Sequence, residues 1–462
     1  MKMKRMRQKV FIKKSKLFFF FMCILSLTLF FTLTASAEKI KLEQPEYQSF
    51  KLDNGLQVMV FPDHSIPLLR YSIYYNVGSI DEKAGQTGIS HFLEHLMFLG
   101  TKNLPEGEID DLISSVGGQL NAATSYDYTY YYHEVPSSAL ELVMALESDR
   151  MQNLRFNEQE INREREVIKQ ERRMRTENNI FSRGFEKIKA HAFKDSYLEH
   201  NVIGWMEDLN SISTAELKKY YQRYYSPNNA LIVVSGDVEA KAVKRMAQEY
   251  YAAYQSENIQ RKDFELPEQN QEKTHTVRLN TNIPYALQMY KIPPADNLEV
   301  AALEIFLDIL ANNQSSRLKE KLQKEAGIIL DSGAFMYPLR TESFALVYFI
   351  PSNQDLVEQA QQAFDRELQK IFTEGITAQE FEMVKKQYQK SLIFSQKNIN
   401  SAASNYALST LRFNKTDLIA EKIDYINSLS KEDVVQIAQK YFKQNQRTRG
   451  YILPKNKGGA QQ

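Results

Sequence analysis

The chain has 462 residues, of which 25% are charged, with 58 Lys and Arg against 57 Asp and Glu and a single cysteine. The basic excess that marks nucleic-acid-binding proteins is absent, which argues against that class. The length exceeds what one hydrophobic core normally holds and predicts two domains.

The first 37 residues have the three-part layout of a secretory signal peptide. The basic segment MKMKRMRQKVFIKK precedes the apolar run LFFFFMCILSLTLFFTL, and the small residues ASA precede Glu38. We predict cleavage after Ala37 and export to the periplasm or beyond, the alternative being an uncleaved inner-membrane anchor. Eight of the 58 basic residues and none of the 57 acidic ones lie in this segment, which leaves a mature net charge of −7. The only cysteine, Cys23, is removed with it, so the mature chain has no disulfide and no thiolate metal ligand.

The chain after this segment alternates strand and helix patterns. Residues 50–61, FKLDNGLQVMVF, alternate apolar and polar residues around Asn54-Gly55, a strong hairpin signal. Hairpins with helices inserted between them predict an α+β fold, in which helices cover one face of an antiparallel sheet. Further strands are predicted at 68–77 and at 119–135, the latter with a turn near Ser125–Asp127, and helices at 89–99, 106–116, 138–153 and 157–177.

Two of the seven histidines lie four residues apart in the apolar stretch GISHFLEHLMFLGT, residues 88–101. On a helix His91 and His95 share a face, so both imidazoles can bind one metal ion. Glu94 lies at the edge of that face, where its carboxylate can reach a water on the metal without binding the metal itself. A catalytic zinc site has three protein ligands and one open position. The H-x-x-E-H pattern therefore predicts a zinc site, and the alternative is two histidines that merely pack on a helix.

Candidates for the third ligand lie on the charged segment EINREREVIKQERRMR, residues 160–175. Glu164 and Glu171 are seven residues apart, two helical turns, and therefore share a face, while Glu160 is a further carboxylate. Charged runs of this kind are usually solvated helix faces with ion pairs between successive turns. The charge pattern alone leaves both interpretations open.

The chain repeats one pattern at an offset of 217 to 220 residues. Residues 211–225 resemble 428–442, and residues 156–171 resemble 376–391. Both members of the first pair begin with a serine followed three residues later by an acidic residue, a capping-box pattern that predicts a helix start. We therefore predict a duplication. Its expected parts are a first domain at 38–258, a polar linker at 259–272 and a second domain at 273–462.

These segments resemble the pitrilysin/insulinase family of inverzincin zinc metallopeptidases, which includes the mitochondrial processing peptidase, here in a short two-domain bacterial form. GISHFLEHLMFLGT is similar to the family's active-site helix. EREVIKQE is similar to the family segment that carries the third zinc ligand, and Glu171 follows His95 by 76 residues, as that ligand does in the family. The resemblance implies that His91, His95 and Glu171 bind one Zn2+ per chain. It also implies that Glu94 activates the zinc-bound water and that Glu164 orients a ligand histidine from behind.

Two more segments carry the resemblance. GGQLNAATS, residues 117–125, is similar to the family's active-site edge strand, which implies that Asn121, Ala122 and Ala123 pair with the backbone of an extended substrate. YYSPNNALIVVSGDV, residues 224–238, is similar to the segment that closes the family's first domain. The implied fold is two homologous domains, each a sheet covered by helices, that form half of a clam-shaped chamber.

The second copy of the repeat lacks the metal residues. Val384 stands where Glu164 stands in the first copy, and Ser391 stands where Glu171 stands. We therefore expect an inactive second domain.

The predicted function is an exported zinc endopeptidase that hydrolyses peptides or small unfolded polypeptides. The alternative is a non-catalytic or partner-dependent subunit of a heterodimeric peptidase or of a peptide-binding complex. The intact metal motif favours catalysis, and a purely structural zinc site fits poorly because two histidines and one glutamate leave a ligand position open. Neither a nucleic acid nor a lasting membrane anchor is expected as a partner.

The resemblance also predicts a dimer, because a two-domain chain is half of the family's four-domain chamber. The family's second domain carries an Arg and, seven residues later, a Tyr that reach the substrate. Aligning on Gly327 places Gln323 and Leu330 at those positions, and Leu330 has no hydroxyl to stabilise an oxyanion. The alternative is a shifted alignment in which Tyr337 or Arg317 serves. We predict either a homodimer or a heterodimer whose second chain supplies the missing pair.

Overall fold

The computed structural model describes residues 44–261 and 264–455. The predicted signal peptide therefore lies outside the described residues. Among the residues that are described, no helix combines the length and the apolar composition that crossing a bilayer requires.

The first half of the chain follows the predicted order of hairpins and helices. The turn of the first hairpin has Gly55 at φ +88°, the left-handed conformation that an Asn-Gly turn uses. A π-helical turn, Arg173–Glu177, continues the fourth helix. The elements are β1 (Gln48–Lys51), β2 (Gln57–Pro62), β3 (Leu68–Tyr75), α1 (Ile89–Leu96), α2 (Glu108–Ser115), β4 (Gln119–Thr124), β5 (Thr129–Pro136), α3 (Leu140–Asn153), α4 (Glu158–Arg172), α5 (Ile180–Ala192), α6 (Met206–Ser211), α7 (Thr214–Tyr224), β6 (Ala230–Gly236) and α8 (Ala240–Tyr251).

The second half repeats this order after the predicted linker. Two π-helical segments, Asp308–Asn312 and Lys319–Glu325, stand between its second and third strands. The elements are β7 (Lys273–Leu279), β8 (Tyr285–Ile292), α9 (Glu299–Leu307), β9 (Ile329–Met336), β10 (Ser343–Pro351), α10 (Val357–Glu374), α11 (Ala378–Lys397), α12 (Ile399–Phe413), α13 (Leu418–Ser428), α14 (Lys431–Tyr441) and β11 (Thr448–Pro454).

The two sheets have the same topology. The first has the order β1-β2-β6-β3-β5-β4 and the second the order β7-β11-β8-β10-β9, so the second lacks only a counterpart of β1. The pairs β2–β6 and β7–β11 are parallel, and the other pairs are antiparallel. In both halves the strand that returns after the helices enters beside the first strand of the repeat and runs in the same direction. The predicted α+β fold of two homologous halves is confirmed.

The capping boxes predicted for the repeat occur at matching positions in the two halves. At the start of α7 the backbone N–H of Ser213 donates to Glu216 Oε2 at 2.8 Å, and at the start of α14 the N–H of Ser430 donates to Asp433 Oδ2 at 2.8 Å. In both boxes the serine hydroxyl accepts from the backbone N–H three residues later. The serine oxygen and the acidic side chain together satisfy two backbone groups that a helix start leaves unpaired.

One helix from each half packs on the sheet of the other half. Helix α5 precedes the predicted linker, yet its Ile188 and Ala192 are buried in an apolar cluster with Leu287 and Ile452 of the second sheet. Its close approach to β11 depends on Gly184, where a Cβ would lie 2.3 Å from the Ile452 side chain.

Helix α12 makes the reciprocal crossing. Its residues Ala403, Tyr406 and Ala407 are buried against Phe61 and Val233 of the first sheet. Because α5 and α12 occupy equivalent places in the repeat, the halves exchange equivalent helices. Each sheet is therefore covered on both faces, whereas the sequence pattern indicated only one covered face.

Buried ion pairs also join the halves. The Arg340 guanidinium donates to both carboxylate oxygens of Asp81, at 2.7 and 2.8 Å, and these side chains are only 7% and 5% exposed. Arg412 of α12 donates to Asp127 Oδ1 at 2.7 Å, and the backbone N–H of Arg340 donates to Asp127 Oδ2. Asp127 lies in the turn between β4 and β5, so residues of the second half fix the end of the first sheet's edge strand.

Candidate metal centre

The start of helix α1 is fixed by a buried carboxylate. Glu82 accepts hydrogen bonds from the backbone N–H groups of Gly88, at 2.7 Å, and Ser90, at 2.9 Å, which lie at the helix start. Gly88 has φ +87°, and a Cβ there would lie 2.5 Å from the Ile203 carbonyl oxygen, so glycine is required at this position. Burial raises the pKa of Glu82 to about 8, against the opposing effect of these backbone N–H bonds. The helix that carries both histidines thus begins at a rigid point.

The structure brings His91, His95 and Glu171 together. One ligand atom from each residue lies within 4.8 Å of the others. Glu171 Oε2 is 3.7 Å from His91 Nε2 and 3.3 Å from His95 Nε2. The histidines come from successive turns of α1, and Glu171 comes from the last turn of α4.

This donor set fits zinc. Zinc bonds of about 2.0–2.2 Å in a tetrahedral arrangement separate neighbouring ligand atoms by about 3.4 Å, close to the distances between Glu171 and the two imidazoles. Two nitrogens and one oxygen are ligands that zinc accepts, and they leave one position open for water or substrate. His91 Nδ1 is buried and has no hydrogen-bond partner among the described residues, so His91 Nε2 is the atom that faces the other two donors.

Two charged residues hold the ligand side chains from behind. Glu164 Oε1 lies 2.8 Å from His95 Nδ1, which leaves Nε2 of this ring to the metal. Arg175, on the π-helical turn after α4, lies 2.7 Å from Glu171 Oε1, which leaves Oε2 to the metal. Glu164 was predicted in this position from the sequence. Arg175 was not, although its place one helical turn after Glu171 is a sequence signal for such a pair.

The two imidazoles have opposite acid–base properties. Burial lowers the pKa of His91 to about 4, and the charge of His95 adds to this effect. Burial also opposes the charged form of His95, but hydrogen bonds with Glu164 and Glu171 outweigh it and raise the pKa of this ring to about 9. Without a metal His91 is neutral and His95 carries a proton. Metal binding therefore has to displace that proton.

Glu94 lies beside the ligands and is oriented by a strand residue. The Thr124 hydroxyl donates to Glu94 Oε2 at 2.5 Å. Burial raises the pKa of the Glu94 carboxyl, with smaller opposing effects from Thr124 and His95. Thr124 was not singled out in the sequence, although it ends the edge strand that was.

The predicted edge strand borders the same space. Among the described strands β4 pairs with β5 alone and ends the first sheet, so its other edge is unpaired. Asn121, Ala122 and Ala123 lie on β4 and line a cavity of about 1020 Å³ that also contains the two histidines and the three glutamates of the site. The cavity is large enough for several residues of extended peptide.

The residues considered for the second domain lie in different places. Gln323 Nε2 donates to the Leu330 carbonyl oxygen at 2.6 Å, and neither residue lines the cavity. Arg317 is paired with Glu380. Tyr337 does line the cavity, and its ring centroid is 5.7 Å from that of Tyr126. Of the side chains considered, only Tyr337 brings a hydroxyl from the second half to this cavity.

Comparison with known families identifies both halves. Residues 61–204 match the family described as Insulinase (Peptidase family M16), and residues 211–388 match the Peptidase M16 inactive domain. A zinc protease of Helicobacter pylori named PqqE is 28% identical over 423 residues, which cover 89% of this chain and 93% of that protein.

Solved structures show the same fold. The crystal structure of a protease from Helicobacter pylori has a TM-score of 0.84 at 27% identity, covering 89% of this chain and 100% of that chain. The periplasmic protease PqqL from Escherichia coli has a TM-score of 0.75 at 22% identity, covering 90% of this chain and 48% of that chain. The second structure is thus about twice as long as the region it shares with this chain.

Proposed function

The chain belongs to the insulinase family of peptidases (family M16) and has zinc proteases among its relatives, and on this basis we propose that it is an exported zinc endopeptidase whose catalytic centre lies between α1, α4 and β4. The observation that carries the proposal is the convergence of three ligand atoms, a buried glutamate and an unpaired strand edge on one cavity. Relatives support the chemistry, and the residue roles below are inferred from the geometry.

In this proposal each residue has a separate task. His91, His95 and Glu171 hold Zn2+, which when bound lowers the pKa of water and polarises a peptide carbonyl. Glu94 accepts a proton from the attacking water and passes it to the leaving amine. Burial, which raises the pKa of the Glu94 carboxyl, brings the pKa closer to neutral and so favours both transfers. Thr124 fixes one oxygen of Glu94, while Glu164 and Arg175 fix the ligand side chains.

The proposed substrate is an extended peptide or a small unfolded polypeptide. The free edge of β4 offers backbone N–H and C=O groups to a peptide that adds to the sheet as a further strand. Asn121, Ala122 and Ala123 lie on this strand and line the cavity. Such pairing recognises the peptide backbone, so the pockets around it must supply the sequence preference.

The proposal includes export and pairing. Export, with cleavage after Ala37, is supported by the pattern of the first 37 residues and by the Escherichia coli relative, which is described as periplasmic. Pairing is supported by the greater length of that relative, because two copies of this chain would match the length of one such protein. Sedimentation of purified mature protein should show a dimer; a fully active monomer would refute the pairing.

The test of the proposed function uses the mature chain, residues 38–462, with zinc content and hydrolysis of quenched peptides measured on the same preparation. We expect one zinc per chain and hydrolysis that a chelator abolishes and added zinc restores. Protein that binds zinc and peptide but cleaves nothing, alone or with a related chain from the same cell, would identify a peptide-binding module instead. Activity that appears only on addition of a related chain would identify the heterodimeric form.

A further inference from the structure

The wall of the cavity away from the metal ligands is aromatic. Phe181, Phe185, Phe335, Tyr337 and Tyr126, here called the aromatic shelf, all line the cavity. The rings form a connected series: their centroids are 6.1 Å apart for Phe181–Phe185, 6.0 Å for Phe185–Phe335, 5.4 Å for Phe335–Tyr337 and 5.7 Å for Tyr337–Tyr126. Such distances are those of aromatic contacts that stabilise one another.

The shelf exists because the halves exchange helices. Phe181 and Phe185 come from α5, which crosses onto the second sheet, whereas Phe335 lies in β9 and Tyr337 directly follows β9. The rings rest on the buried apolar cluster between α5 and the second sheet. They are only partly covered, and Tyr337 is 40% exposed. A connected series of partly exposed rings in one cavity is a surface suited to an apolar group.

Charge separates the shelf from the metal centre. The charged residues that line the cavity are Glu94, Glu164, Glu171 and Arg175, besides the two histidines, and all of them lie at the metal centre. The shelf itself has no charged member. A charged side chain placed on it would lose water without gaining a partner, whereas a large apolar side chain would lose only unfavourable contact with water.

The shelf also adjoins the strand edge. Tyr126 follows Thr124, the last residue of β4, by two positions, and Thr124 contacts Glu94. A peptide paired with β4 would therefore pass the metal centre and then meet the shelf. The rigid strand fixes the distance between the two places.

We propose that the aromatic shelf binds one large apolar side chain, aromatic or branched aliphatic, of the peptide substrate at a fixed number of residues from the scissile bond. This inference rests on the proposed peptidase function and adds to it the substrate class and the residues that select it. The selection comes from burial of the substrate side chain against Phe185 and Phe335. Peptides that lack such a residue should bind the strand edge without a preferred register.

The test is a set of quenched peptides with one Phe moved stepwise through a background of Ala, Ser and Gln. With the wild-type protein, we expect the cleaved bond to move with the Phe and to stay at a constant spacing from it. Replacing the Phe by Ala should lower kcat/KM by about 10- to 100-fold, the usual range for one large apolar group in a pocket. The register of cleavage should then become mixed.

Variants assign the effect to the shelf. Phe185→Ala and Phe335→Ala should each raise KM for the Phe peptide with little change for the all-polar peptide. Phe394→Ala is the matched control, because Phe394 is 52% exposed on α11 and does not line the cavity. Phe335→Arg should shift the preference from Phe to Glu at the same spacing, a gain that a merely destabilised protein cannot show.

Binding measured without hydrolysis separates this inference from the proposed function. The Glu94→Gln variant should bind the Phe peptide more tightly than the all-polar peptide in fluorescence anisotropy, and Phe185→Ala in that background should remove the difference. Cleavage that follows the Phe equally well in both shelf variants would overturn the inference while leaving the peptidase intact. A wild-type protein that cleaves none of the peptides, alone or with a related chain, would overturn the proposed catalysis, and the binding measurement would still decide the shelf.

Discussion

Helices α4 and α11 hold the same place in the two halves of the molecule, yet only α4 carries metal residues. Glu164 of α4 contacts His95, whereas Val384, its counterpart in α11, is buried in the second apolar core. Glu171 lies 3.3 Å from His95 Nε2, whereas Ser391, its counterpart, is exposed and donates only to the Tyr388 carbonyl oxygen. The same helical frame therefore folds with or without the carboxylates.

This difference separates the scaffold from the site. The sheet order and the paired capping boxes are kept in both halves, so they belong to the fold. The histidines and glutamates occur in one half alone and are not needed to form the frame. Changes at the metal residues should therefore alter chemistry with little effect on folding, and changes at the joint between the halves should do the reverse.

The largest effect is expected from removing one metal ligand. Glu171→Ala takes away one of three ligands, so zinc should be lost on dialysis and hydrolysis should disappear. Ser391→Ala at the equivalent place in the second half should leave both unchanged. Mass spectrometry of bound metal and a peptide assay on the same samples would check this. Stoichiometric zinc in Glu171→Ala would remove this residue from the ligand set, and His91→Ala and His95→Ala extend the test.

The next effect concerns the proposed base. Glu94→Gln keeps the shape of the side chain and its contact with Thr124 but cannot accept the proton, so kcat should fall by about 10²- to 10⁴-fold with zinc retained. Glu160→Gln is a matched control, because Glu160 faces Arg155 at 2.8 Å on the neighbouring helix. Near wild-type turnover in Glu94→Gln would eliminate the mechanism.

A smaller effect is expected at the residue behind His95. Glu164→Ala should weaken zinc affinity by about 10- to 100-fold, because the carboxylate that orients the ring is lost while the ligands remain. Val384→Ala should leave the zinc affinity unchanged and lower the free energy of unfolding by about 2 kcal/mol, because it opens a cavity in the second core. Competition with a chromophoric chelator measures the affinity. Equal affinities for Glu164→Ala and wild type would exclude the orienting role.

The joint between the halves should affect stability instead. Arg340→Ala leaves Asp81 buried with only the more distant Arg261 near it, so the free energy of unfolding should fall by about 3 kcal/mol. The control is Arg163→Ala, whose partner Glu106 is an exposed residue, with an expected loss below about 1 kcal/mol. Urea denaturation measures both. Equal losses would show that the joint contributes no more than a surface pair.

The smallest effect is a difference in pH dependence at the helix starts. Burial raises the pKa of Glu82 to about 8 from a model value of 4.5, so folding favours its protonated form. The stability of the wild type relative to Glu82→Gln should be greatest below about pH 4.5 and should fall as the pH rises to about 8. At the corresponding helix start, α9, Asn297 accepts from the N–H of Glu299, and Asn297→Ala should cause a loss that is independent of pH. Urea denaturation from pH 4.5 to 8.5 would test both; a constant difference for Glu82→Gln would contradict the first expectation.

Much of the frame could be predicted because its signals are local. The Asn54-Gly55 turn, the capping boxes at Ser213 and Ser430, and the four-residue spacing of His91 and His95 each lie within a few residues. The choice of Glu171 over the other carboxylates of α4 was not local. The charge pattern left it open, and the family resemblance selected it.

Other features carried no local signal at all. Thr124 contacts Glu94 across 30 residues, and Tyr126 meets Tyr337 across more than 200. The alignment that placed Gln323 and Leu330 at the substrate could not show that they lie outside the cavity, because that depends on where β9 enters the second sheet. Each of these contacts is decided by packing between distant elements.

The sequence by itself determined the elements, their repetition and the metal-binding pattern on α1, because turns, caps and helical spacing act between neighbours in the chain. Only the tertiary structure decided that α5 and α12 change places. An amphipathic helix shows which of its faces is apolar, but the pattern is the same whichever sheet it covers. That exchange brings Phe181 and Phe185 beside Phe335, and so the aromatic wall of the cavity depends on contacts that no stretch of sequence contains.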